Sequence, residues 1–151
     1  MHRIALQGAG AFALAAVFVL LAGCSGPIFR IKVINEGDFP LTSVRFVPVI
    51  ENDEEAQEQA FADAVNLLPQ DGDDVTIALD VGKVTLLPHL LEGDLYYVMV
   101  TVYVDNEYVS NGRDTSVDLR EIEKNALVTM SVKCENPGNA IDPVFDFIFE
   151  Y

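Results

Sequence analysis

The chain has no tryptophan, two cysteines, two histidines and nine basic residues against twenty-four acidic ones. Each shortage removes a class of function. Two cysteines exclude a disulfide-stapled scaffold and any pair of Cys-x-x-Cys metal clips. His2 and His89 are the only histidines, so no histidine cluster is available to a catalytic zinc. Glycine-rich phosphate loops are absent, and no Gly-x-Ser-x-Gly elbow surrounds a serine. A formal charge of −15 repels nucleic acid and anionic headgroups alike. No repeat of fixed period and no low-complexity stretch is present.

What the chain does have begins at its N-terminus. Met1-His2-Arg3 is a short basic start, and Ile4 to Ala22 is almost wholly apolar. That layout is a secretory signal: a positive end, an apolar middle and a small-residue cleavage site. The rival is an uncleaved membrane helix, but a span needs roughly 20 apolar residues and this run sits at the lower limit. Leu21-Ala22-Gly23-Cys24 resembles the lipobox of bacterial lipoproteins. The resemblance implies cleavage before Cys24, a thioether-linked diacylglycerol on its thiol, and a signal peptide covering residues 1–23. Ser25 resembles the permissive residue for transfer to an outer membrane in double-membrane bacteria. Residues 24–27 then form a short lipidated tether, which reaches at most about 14 Å. Removing residues 1–23 takes away one base and no acid, so the charge becomes −16.

Residues 28–151 suit one domain with a sizeable core. Phe29 to Val33 alternates apolar and charged residues, which predicts a half-buried strand. After the turn cluster Asn35 to Pro40, Leu41 to Ile50 reads as a second strand, and the two are expected to form a hairpin. Asn52 and Glu55 have capping-box spacing, with Phe61, Val65 and Leu68 on one stripe before Pro69. This predicts one amphipathic helix over residues 52–68, lying on the sheet. Val75, Ile77 and Leu79 alternate with Thr76, Ala78 and Asp80 as a strand would, and Val84 to Leu87 follows. Leu95 to Val104 is apolar on both faces and suits a central strand. Tyr108 to Ser110, Thr115 to Leu119, Ala126 to Cys134 and Val144 to Tyr151 complete the strands. The pattern predicts an all-β antiparallel sandwich of immunoglobulin-like or fibronectin-like type.

Candidate sites are few. Between Arg45 and Lys83 there are ten acids and no base. Asp71, Asp73 and Asp74 crowd hard oxygen donors into one loop, which makes them a calcium candidate. The EF-hand grammar fails there, because Gly72 falls second and no glutamate stands twelfth. The competing reading is a solvated acidic surface. His89 is the sole imidazole after residue 23, and a triad would need Ser43, Ser110, Ser116 or Ser131 beside it. Cys134 continues a strand alternation and is expected to be buried and unpaired. Phe145, Phe147, Phe149 and Tyr151 form an aromatic stripe that closes a core or, less simply, presents an edge for strand addition. A terminal aromatic after such alternation resembles the assembly signal of outer-membrane barrels, yet the repeated ten-residue strands of a barrel are missing.

These features are those of a lipid-anchored cell-envelope protein, with a membrane attachment through Cys24, no cofactor and no nucleic-acid partner. Its domain reads as a non-catalytic binding or structural module at the membrane surface. The second reading is a calcium-dependent adhesion or carbohydrate-binding module resting on Asp71, Asp73 and Asp74. A carboxylate-based hydrolase comes third, since such pairs are defined by separation in space and the chain lacks the tryptophan of a sugar cleft.

Overall fold

The computed structural model describes residues 27–123, 125–136 and 143–151. Alternation decides the first strand. In β1 (Ile28–Asn35) Phe29, Ile31 and Val33 are fully buried, while Arg30 and Lys32 stand on the other face. The elements that follow are β2 (Leu41–Pro48), α1 (Glu54–Asp63), β3 (Val84–Leu86), β4 (Leu91–Glu92) and β5 (Leu95–Val104). Then come β6 (Glu107–Ser110), β7 (Ser116–Asp118), β8 (Leu127–Glu135) and β9 (Val144–Glu150). One sheet has the order β3-β1-β8-β9 with β4 also on β1; the other runs β2-β5-β6 with β7 also on β5. Inward residues of both sheets form one core, with Phe29, Ile31, Val128 and Met130 from the first and Val44, Phe46, Val98 and Val100 from the second. The chain is an all-β sandwich with one short helix, as its alternation predicts.

β5 is the central strand expected of Leu95 to Val104, with β2 on one side and β6 and β7 on the other. Asp105 and Asn106, at φ of 50° and 70°, make the two-residue turn that sends it into β6. Between β6 and β7 the buried Asn111 takes over the pairing. Its Oδ1 accepts from the Val100 amide at 2.6 Å and its Nδ2 donates to the Val98 carbonyl at 2.9 Å.

The expected hairpin of the first two strands does not form. Both edges of β1 are already occupied, by β3 and β4 on one side and by β8, in parallel, on the other. The parallel β1–β8 pairing makes this sheet mixed. Asn35 turns the chain away: its Oδ1 accepts from Gly37 N at 3.1 Å, and its Nδ2 donates to the carbonyls of Phe39 and Leu79, both at 2.9 Å. Glu36 N and Asp38 N then donate to the carbonyls of Val132 and Cys134 on β8, and the chain crosses to the second sheet as β2.

The helix is shorter and less amphipathic than its spacing predicts. Its cap is Asp53, whose Oδ1 accepts from the Ala56 amide at 3.0 Å, while Asn52 lies at φ 62° before it. It ends at Asp63, well before Pro69, and none of its residues is buried. Val65 is 65% exposed, whereas Leu68 is buried beyond the helix. Two causes act together. The last turn holds Asp63 and no base, which opposes the helix dipole. The unpaired edge of β2 then captures the chain: Leu67 N donates to Val44 O, and Asn66 Oδ1 accepts from Val44 N at 3.0 Å.

Residues 70–80 also depart from the strand expected there. Only isolated bridges form, between Gln70 and Thr76 and between Leu41 and Leu79. Val75 and Ile77 are exposed, and Leu79 alone is buried. The Asp71 carboxylate holds the backbone in a turn, which leaves too little extended chain to pair.

Gly37 supplies the sharpest test of this arrangement. A Cβ there would lie 2.4 Å from Cys134 N and 2.6 Å from Cys134 O, both backbone atoms of a central strand. Nothing flexible can yield, so Gly37→Ala is expected to cost about 3 kcal/mol or more. Gly72 has nothing within 4 Å of its added Cβ. Gly72→Ala should stay within about 0.5 kcal/mol of the parent. Urea denaturation of both variants checks the pair.

Candidate functional site

The acidic loop is built around its own backbone. Asp71 Oδ1 accepts from Asp73 N at 2.9 Å and from Val75 N at 3.1 Å, and Asp71 O accepts from Asp74 N. Asp74 sits at φ 60°. The first candidate calcium ligand therefore serves as a turn cap, while all three carboxylates face solvent. Among the described residues, no group of three or more His, Cys, Asp or Glu side chains is placed to hold a metal ion. The ten acids from Glu51 to Asp80 are all exposed. Glu58 is ion-paired to Arg113, whose guanidinium also lies over the Phe61 ring at 4.1 Å.

His89 is exposed in the loop joining β3 to β4, at the edge of the first sheet. Ser43, Ser110 and Ser116 lie on strands of the second sheet, so they are not brought to it. Ser131 stands opposite Ile34 on β8. Ser43 Oγ accepts from Arg45 Nε at 3.1 Å, and Ser110 pairs with the Thr101 hydroxyl at 2.8 Å. These hydroxyls lie in an open depression of about 550 Å³ that also includes Thr42, Arg45 and Tyr108. Asp118 is held by an Arg120 fork, at 2.8 and 2.5 Å, and its carboxyl titrates at about 2. This is a local pair, two residues apart.

Cys134 is fully buried and unpaired, as its place in the alternation predicts. Burial pushes its thiol up to about 11, and the Asp38 carboxylate adds to the shift. It is a packing residue in the core beside the Gly37 crossover. Phe145, Phe147 and Phe149 are half-buried and pack against the same core, while Tyr151 is 65% exposed and stands off it. The aromatic stripe therefore closes the sandwich with three of its four members.

One surface feature was not legible in the sequence. Ile28, Arg30, Leu86, Leu90, Asn125 and Leu127 line a groove of about 540 Å³ on the outer face of the first sheet. Its four apolar members are scattered along a hundred residues. They meet because Leu86 stands opposite Lys32 and Leu127 opposite Arg30, both on the outward side of β1. Cys24 and residues 1–23 lie outside the described residues. Among the described residues, no helix is long and apolar enough to cross a membrane. Compared with protein-family models, with curated proteins and with solved structures, the chain matches none of them.

Two outcomes follow from these sites. The Cys134 thiol stays neutral when folded to about pH 11, against 9.0 for a free thiol. Between these values the unfolded chain has lost the proton and the folded chain keeps it, so stability falls as pH rises. The contribution is complete below pH 9 and is on the order of 2 kcal/mol. Denaturation midpoints at pH 8 and 10.5 should diverge more in the parent than in Cys134→Ala. For the loop, millimolar calcium should raise the melting temperature no more than magnesium at equal ionic strength. A calcium-selective rise abolished by Asp73→Asn would instead establish a metal site there.

Proposed function

We propose that this chain is a lipid-anchored cell-envelope protein whose β-sandwich works as a non-catalytic binding or structural module at the membrane surface. The observation that carries the reading is Leu21-Ala22-Gly23-Cys24 at the end of an apolar run. Ordered strand begins at Ile28, four residues after that cysteine, and β1 is held on both edges. A thioether-linked lipid on Cys24 would thus be joined to the domain with almost no slack. Two or more acyl chains, at about 0.8 kcal/mol per buried methylene, make detachment negligible. Ser25 favours the outer membrane where the bacterium has two. Among the described residues, Ser43, Ser110 and Ser116 stand on the sheet opposite His89 and the acidic loop is solvated, which supports a binding role over a hydrolytic one.

The test is direct. Cys24→Ala, expressed in a bacterium with a lipoprotein pathway, should accumulate as an unprocessed precursor without acyl mass. The parent should yield an N-terminal peptide starting at an acylated Cys24. Cleavage elsewhere, or a native N-terminus free of acyl chains, would refute the proposal by mass spectrometry alone.

A further inference from the structure

We infer that the grooved outer face of the first sheet, around β1 and β3, is the side on which the domain seats against the lipid bilayer. The inference rests on the anchoring of Cys24 proposed above. Its occupant is a phospholipid surface, for three reasons that are independent of one another.

The first is position. Ile28 is both the first residue of β1 and a wall of the groove. Chain length then decides the distance: four residues from Cys24 reach at most about 14 Å. A lipid held at Cys24 therefore keeps the bilayer within about 14 Å of Ile28.

The second is apolar exposure. Ile28, Leu86, Leu90 and Leu127 are each 40–51% exposed on this one face, and Val84 beside them on β3 is 55% exposed. Val84 stands opposite Ile34 and Leu86 opposite Lys32, so they continue the outward rows of β1. Contiguous apolar surface of this kind marks a protein or membrane contact.

The third is charge. The chain carries twenty-four acids, yet residues 27–35 and 81–91 contain none. Those two segments carry Arg30, Lys32 and Lys83, and among the described residues none of these three enters an ion pair. Glu92, opposite Ile28 on β4, is an acid at the rim. The acids from Glu51 to Asp74 belong to the stretch that follows β2 of the other sheet, whereas Asp80 returns to the first sheet beside Lys83. Basic side chains rimming an apolar groove match phosphates above acyl chains. Glu135, Asp146 and Glu150 are exposed on β8 and β9 of the same sheet, so the acid-free patch is confined to β1 and β3.

The experiment uses the full chain, processed in a lipoprotein-competent host and checked for acyl mass at Cys24. It is reconstituted into vesicles of phosphatidylethanolamine and phosphatidylglycerol, with or without brominated acyl chains. An environment-sensitive fluorophore is placed at Leu90→Cys or, on the opposite sheet, at Tyr108→Cys; the buried Cys134 stays unlabelled. Bromolipid should quench the label at position 90 and leave that at 108 unchanged. Adding Leu86→Ser and Leu127→Ser should remove the quenching at 90 to the level seen at 108. Equal quenching at both positions, with Cys24 acylated, overturns the seating and leaves the anchoring intact. Shielding of position 90 from an aqueous quencher without bromolipid quenching would assign the face to a second copy of the chain and also overturn it. If Cys24 carries no acyl group, the anchoring fails first and the seating falls with it.

Discussion

The buried amide of Asn35 is the constraint on which the fold turns. It uses every hydrogen-bonding group it has. Its amide N–H goes to Lys83 O, its carbonyl receives Gly82 N, and its side chain holds Gly37, Phe39 and Leu79. Leu79 in turn exchanges both backbone bonds with Leu41 at the start of β2. One residue thus joins the end of one sheet, the crossover and the first residue of the other sheet. A buried amide left partly unpaired costs about 1–3 kcal/mol per group. The 79–83 segment thus satisfies the groups of Asn35 at the point where β1 and β2 part. Gly37 completes the device, because the crossover presses on the β8 backbone too closely for a Cβ.

Two further asparagines play the same part elsewhere. Asn66 binds Val44 N, Leu68 N and Thr42 O along the outer edge of β2, and Asn111 bridges Val98 and Val100 on β5. In each case a side-chain amide replaces a missing strand. The outcome is that the free side of β2 and the stretch of β5 between β6 and β7 are covered without long additional strands, which protects them from pairing with other chains. Such irregular cover also explains why the acidic segment after β2 stays at the surface. It is tied down by Leu67, Leu68 and Leu79 in the core and by a few polar contacts, while the acids between them stay outside.

Charge is distributed with the same asymmetry. Ten of the twenty-four acids fall between Glu51 and Asp80, while β1 and β3 carry none and β1 presents Arg30 and Lys32 on its outer side. A domain of this net charge would be driven from an anionic surface if its charges were uniform. Under the seating proposed above, the acid-free patch on β1 and β3 next to the tether would lessen the conflict between acidity and a membrane address. Binding of any partner would then fall to the opposite sheet, with its hydroxyl-lined depression and the Tyr103–Tyr108 pair.

The sequence by itself determined what depends on neighbours along the chain. Alternation placed β1 and β8, an apolar run on both faces placed β5, and the run ending in Cys24 carries the export reading. Burial of Cys134 followed from parity alone. What needed the tertiary structure was every decision between competing partners. β1 could not accept β2 because β8, β3 and β4 had taken its edges. The helix stopped at Asp63 because β2 offered backbone bonds that further helical turns could not match. Val75 and Ile77 lost their strand to an Asp71 cap, and the groove at Ile28, Leu86, Leu90 and Leu127 exists only once distant strands are in register. Local pattern reports which face a side chain prefers; pairing is a contest among edges far apart in the chain, and only the folded arrangement decides it.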